Sequence, residues 1–143
     1  MNPQDNWLQH YADLLQTLSV ANLQELREIA AEGICFRDPF NDIRNRDDYI
    51  ALMADMFDRL DQVEFDVHQV VQQENQGYLF WTFSATSRLT GQVSVQGTSR
   101  VETNAAGLIC LHEDYWDGSR LMQTLPVIGR IIAWLRHKLA CPA

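Results

Sequence analysis

At Glu64 the spacing of apolar residues in this 143-residue chain changes, from a period near 3.6 to a period of two. A side chain that returns to one face at every second residue requires an extended backbone, so the stretch up to Asp117 is committed to strands. The alternation predicts strands at about 64–74, 78–90, 92–104 and 108–117, separated by Asn75-Gln76-Gly77, Gly91 and Ala105-Ala106-Gly107. Each break is of hairpin length and contains glycine, so the four strands read as one antiparallel meander.

Before the switch the pattern is helical. Asn6 to Leu18 carries Trp7, Leu8, Tyr11, Leu14, Leu15 and Leu18 at the spacing of one buried stripe. Asn22, with Glu25 in capping-box position, opens a second helix that runs to about Glu32 and is stopped by Gly33. Ile34 to Arg37 reads as a short strand, and Pro39 makes the segment from Asp38 to Asn45 an ordered loop. Arg46 to Leu60 is the third helix, with Asp47 and Asp48 at the positive end of its dipole. Helices followed by a meander define an α+β fold, with the helices on one face of a curved sheet.

The totals exclude several classes. With 46% hydrophobic and 21% charged residues, the chain is neither disordered nor fibrous. Cys35, Cys110 and Cys141 are far apart and form no CxxC, so they read as reduced thiols of a cytoplasmic protein, two of them in the core. The first ten residues lack the basic and apolar regions of a signal peptide, and no apolar stretch has the roughly 20 residues of a membrane span. Four histidines without ligand spacing speak against a metal. Charge is segregated: after Asp117 there is no acidic residue, only Arg120, Arg130, Arg136 and Lys138, for +4. The preceding 117 residues carry seven basic and nineteen acidic groups, for −12. Such a body repels nucleic acid.

The last strand ends in His112-Glu113-Asp114-Tyr115-Trp116-Asp117, and alternation places His112, Asp114 and Trp116 on one face. Turned inward, an imidazole and a carboxylate beside an indole can carry acid/base chemistry. The same residues also fit a solvated edge, or a His–Asp pair that satisfies itself inside the fold.

The Phe36-Arg37-Asp38-Pro39-Phe40 turn after two helices, the third helix, the meander, and Gly107-Leu108-Ile109 leading to Asp114-Tyr115-Trp116 together resemble the nuclear transport factor 2-like superfamily. Within it the likeness is to SnoaL-like proteins and ketosteroid isomerase, over residues about 5 to 118. The resemblance implies a cone-shaped barrel in which a curved antiparallel sheet wraps around the N-terminal helices. It also implies an apolar pocket at the wide end and a homodimer through the outer face of the sheet. Asp38 matches the place of the isomerase's general base, although an aspartate before proline also serves a turn as an acceptor for backbone N–H groups. The isomerase's oxyanion donors, a Tyr and a protonated Asp, fall by gap-free counting on Leu14 and Ser99, so neither is matched. Tyr11 lies on roughly the same helical face as Leu14. Asp114, with His112 two residues earlier, fits the acid/base position of SnoaL-like cyclases, where Asp114 would move the proton and His112 would orient or charge-balance the substrate oxygen. Trp116, Met53 and Phe57 join Tyr11, Leu14 and Ser99 as expected pocket residues.

Residues 119–143 extend this 1–118 domain. Leu121, Met122, Leu125, Val127, Ile128, Ile131, Ile132, Leu135 and Leu139 keep helical spacing on both sides of Pro126. The segment reads as an amphipathic helix that closes the pocket, packs in a dimer, or makes a peripheral contact with anionic lipid. The expected partner is a small apolar molecule bearing a carbonyl or hydroxyl, handled without a cofactor by isomerisation or aldol-type cyclisation. A non-catalytic binding protein and a protein scaffold are the alternatives.

Overall fold

The computed structural model describes residues 3–122 and 128–140 and shows one curved, unclosed sheet of six strands with the helices packed against it. In chain order the elements are α1 (Trp7–Thr17), α2 (Leu26–Ile29), β1 (Ala30–Arg37), β2 (Asp42–Ile43), α3 (Arg46–Arg59), β3 (Leu60–Gln73), β4 (Gln76–Ser87), β5 (Gly91–Thr103), β6 (Ile109–Trp116), α4 (Gly118–Met122) and α5 (Ile128–Leu139). The sheet order is β2-β1-β6-β5-β4-β3. The meander from β3 to β6 is antiparallel throughout, and β1 joins it in parallel beside β6. This is the cone-like α+β architecture expected from the sequence.

The boundaries differ from expectation where tertiary pairing overrides local preference. The second helix ends at Ile29 rather than Glu32, because Ala30–Arg37 is drawn into the sheet alongside β6. Gly33 therefore lies within a strand and stops nothing. Asn22 forms no side-chain cap; its carboxamide oxygen accepts the backbone N–H of Ser19 at 2.6 Å and so closes the loop after α1. The loop from Asp38 to Asn45 contains the two-residue strand β2, and Asn45 caps α3 by accepting the backbone N–H of Asp48 at 2.8 Å.

The first hairpin turns at Glu74-Asn75, one residue before its expected break, with Glu74 at φ 57°. Gly77 instead lies within β4, where a Cβ would stand 2.4 Å from a methyl of Leu8. Its role is to let α1 approach the sheet. β3 starts at Leu60, and register shifts between Asp61 and Glu64 and between Val67 and Gln69 break its pairing with β4. Bulges of this kind bend a strand and deepen its twist, which curls the sheet towards the helices.

The core lies inside that curl. Leu8, Tyr11 and Ala12 from α1, Tyr49 and Ile50 from α3, and Ile34, Leu79 and Val101 from the sheet are all buried. Each large apolar side chain so buried contributes about 1.5–3 kcal/mol. Cys35 and Cys110 are free but half-buried rather than core residues, and burial raises the Cys110 thiol above its usual range. Cys141 and the Leu125-Pro126-Val127 stretch lie outside the described residues.

Candidate active site

One end of the curl encloses a cavity of about 670 Å³. Its walls are mostly apolar: Leu15 from α1 and Leu18 just after it, Leu52, Met53 and Phe57 from α3, and Phe65, Trp81, Phe83, Val93, Val95 and Trp116 from the sheet, with Asp55 and Arg59 of α3 among the polar residues. Leu121 and Met122 of α4 also border it. Trp81 and Phe83 thus occupy the inner face of β4, while Phe80 is on the exposed side. Three ionisable groups of the last strand and its neighbouring loop reach the cavity, namely His112, Asp114 and Asp38.

His112 and Asp114 belong to a chain of hydrogen bonds that crosses the core. Register sets the components side by side: Phe36 of β1 and Val101 of β5 flank His112, and Ser99 lies opposite Asp114. The imidazole Nε2 and Asp114 Oδ1 are 2.7 Å apart, and Nδ1 and the Tyr11 hydroxyl are also 2.7 Å apart. The Tyr11 and Tyr49 hydroxyls meet at 2.6 Å. On the other side the Ser99 hydroxyl donates to Asp114 Oδ1, and Trp81 Nε1 donates to the Ser99 oxygen at 2.8 Å. The Trp81 indole can lie there because position 97 is glycine: a Cβ would stand 2.5 Å from the ring.

The direction of the protons follows from chemistry. A carboxylate only accepts, so Nε2 carries hydrogen, and in the neutral imidazole Nδ1 is then the acceptor for Tyr11 O–H. Tyr49 then donates to Tyr11. Burial above all raises the Tyr11 phenol well beyond its ordinary range, with the neighbouring Tyr49 and the charge of Asp114 adding to the effect. Burial likewise raises Tyr49, with Tyr11's hydrogen bond opposing and the Asp114 charge assisting. Both phenols stay protonated, and every donor in the chain points towards Asp114 Oδ1. Asp114 Oδ2 has no hydrogen-bond partner among the described residues, and the side chain is 17% exposed.

Asp38 is held differently. Its Oδ1 accepts the backbone N–H groups of Phe40 at 2.8 Å and Asn41 at 2.7 Å, and both oxygens contact Asn41 Nδ2 at 3.0 and 3.1 Å. This turn sets Phe40 edge-on to Trp116, with ring centroids 5.6 Å apart.

The structure therefore brings His112, Asp114, Trp116, Met53, Phe57 and Asp38 to the cavity. Leu14 is not on the wall, where Leu15 and Leu18 stand instead. Tyr11 and Ser99 lie behind it, one beneath His112 and the other behind Asp114. Nor can His112 meet a substrate oxygen through nitrogen, since both ring nitrogens already have partners. Sequence reasoning missed Tyr49 and the Trp81–Ser99 link. The available signal for Tyr49 was a tyrosine in the apolar stripe of each long N-terminal helix, since buried phenols need partners. Among the described residues no three His, Cys, Asp or Glu side chains cluster as metal ligands.

The curved, unclosed α+β sheet is the fold of solved proteins described as nuclear transport factor 2-like, ketosteroid isomerase-like and SnoaL-like. The chain belongs to the SnoaL-like domain family, whose sequence profile matches residues 9–112. Its structure is similar to an LEH-like epoxide hydrolase of M. tuberculosis, at 15% identity, 99% coverage of each chain and a TM-score of 0.71. It is also similar to a protein of ketosteroid isomerase-like fold from Catenulispora acidiphila DSM 44928, solved with trimethylamine, at 12% identity, covering 81% of this chain and 90% of that one, with a TM-score of 0.69. A protein provisionally assigned as a SnoaL-like polyketide cyclase from Jannaschia sp. CCS1 shares 13% identity over 73% of this chain and 78% of its own, with a TM-score of 0.64. Likeness at these identities is likeness of fold. No curated protein matches the sequence.

Proposed function

We propose that the protein is a cofactor-free acid/base catalyst for a small apolar molecule bearing a carbonyl, with Asp114 as the group that takes the proton. The observation that carries this reading is the convergence of donors on Asp114 Oδ1, while Oδ2 has no hydrogen-bond partner among the described residues and Asp114 lines a mostly apolar cavity. Oδ2 abstracts a proton from the carbon beside the carbonyl and can return it at another position, as isomerisation or aldol-type ring closure requires. His112 acts through Asp114: it fixes the carboxylate and supports its charge, and is a positioning residue. Tyr11 and Tyr49 hold the imidazole in the tautomer that donates to Asp114. The exposed Val71, Tyr78, Phe80 and Tyr115 support a homodimer through the outer face of the sheet.

The test is proton exchange. Apolar cyclic ketones and 1,3-diketones are incubated with the protein in deuterated water, and loss of the C–H signal beside the carbonyl is followed by NMR. Exchange above the buffer rate that Asp114→Asn abolishes supports the reading; exchange that survives in Asp114→Asn overturns it.

One observation favours a second reading, non-catalytic binding. The hydroxyls of Tyr11, Tyr49 and Ser99 are turned into the network, not towards a substrate oxygen, and an oxyanion stabiliser usually supplies a large share of such catalysis. Tight binding of a ketone with no exchange would select it.

A further inference from the structure

The last helix presents its apolar stripe to solvent. In α5, Ile131 is 55% exposed, Trp134 58% and Leu139 84%, and Leu135 is exposed beside them. The opposite side is the attached one: Gly129 is buried, and Arg136 reaches Asp117 at the end of β6 at 3.3 Å. α5 packs on α4, whose Leu121 and Met122 border the cavity. An exposed apolar stripe of this kind, on a helix packed against the one that borders the cavity, marks an interaction surface.

We propose that α5 docks on the surface of an anionic phospholipid bilayer, with the apolar stripe in the headgroup region and the cavity next to it. Charge selects this occupant. The charged side chains of α5 are all cationic, Arg130, Arg136 and Lys138, with Arg136 paired to Asp117, whereas the 117 residues up to Asp117 carry −12. An anionic surface attracts the helix and repels the body, so it orients the molecule with α5 towards the lipid. Trp134 stands at the margin of the stripe with the Lys138 ammonium 5.9 Å from its ring centroid, an indole and a cation side by side as a headgroup layer accommodates them. A second copy fits less well. A two-fold contact through this face would set one cationic helix against another. The helix does not span: no helix of the described residues is long and apolar enough to cross a membrane.

This inference is independent of the chemistry at Asp114. The full chain is sedimented with vesicles of phosphatidylcholine alone and with about one third phosphatidylglycerol, at low and high salt. The expected result is co-sedimentation with the anionic vesicles only, weakened about tenfold or more by high salt and by Leu135→Asp or Trp134→Ala. These residues are exposed, and circular dichroism confirms that the variants keep their fold. Asp114→Asn should sediment like the parent. Failure to bind anionic vesicles overturns the proposal, as does binding that Leu135→Asp leaves unchanged. A dimer in analytical ultracentrifugation that Leu135→Asp dissociates, without vesicle binding, would assign the face to a second copy and overturn it equally.

Discussion

Asp114 and Asp38 both border the same cavity, yet among the described residues one has an oxygen without a partner and the other has none. The difference lies in what supplies their donors. Asp38 is satisfied by backbone N–H groups two and three residues on, which any aspartate at the head of a turn recruits for itself. Asp114 sits in a strand, where backbone donors are engaged by the sheet, so its partners are side chains brought from other elements: His112, Ser99 and, behind them, Tyr11, Tyr49 and Trp81. A local turn completes its acceptor; a long-range network can stop one oxygen short. The most direct way to break this contrast is Asp114→Asn. The amide keeps an acceptor for Nε2–H but removes the base, so exchange activity should fall about 10²–10⁴-fold while the thermal midpoint changes little. A loss of fold with the loss of activity would show that the network is structural only.

Behind the carboxylate the contrast becomes one of stability. Tyr11→Phe leaves the His112 Nδ1 acceptor and the Tyr49 hydroxyl without their shared partner in the core, at a cost of about 1–3 kcal/mol in chemical denaturation. Tyr49→Phe removes only the terminal donor and should cost less. If the network positions Asp114, Tyr11→Phe should lower kcat more than it raises KM and should shift the pH profile of activity. The phenols also set the alkaline limit. Their folded pKa values lie above the ordinary 10.0, so the folded state holds protons that the unfolded chain releases. Their contribution to stability is therefore constant up to about pH 10 and is lost beyond it, by about 1.4 kcal/mol per pH unit for each phenol. Urea titrations between neutral and alkaline pH should show the slope, and Tyr11→Phe should reduce it.

The parts of this arrangement that were legible in the sequence are those fixed by short-range pattern. The switch of period at Glu64, the placement of His112, Asp114 and Trp116 on one face, and the helical stripe containing Tyr11 are consequences of local geometry. What could not be read was register. Nothing in the chain near Ser99 says that it lies opposite Asp114, nor near Gly97 that its missing side chain admits the Trp81 indole. Tyr49 stands at helical spacing with Met53 and Phe57, but its hydroxyl acquires meaning only when α3 and α1 are packed against β6. The second helix was overextended for the same reason: a parallel partner far along the chain claims Ala30–Arg37 for the sheet.

The smallest expected effect is the sharpest discriminator between the two aspartates. Asp38→Asn preserves a carbonyl oxygen that can accept the N–H groups of Phe40 and Asn41, so the turn survives and the cost should stay under about 1 kcal/mol. Phe40 then remains edge-on to Trp116, the cavity keeps its rim, and turnover should stay within about threefold of the parent, since less than about 0.7 kcal/mol of barrier is at stake. Asp38→Ala, which deletes the acceptor, should cost more stability and loosen ligand binding without removing proton transfer. A collapse of activity in Asp38→Asn at unchanged stability would reverse the assignment: the base would be the aspartate of the turn, acting despite its full set of hydrogen bonds, and Asp114 would be the structural partner of His112.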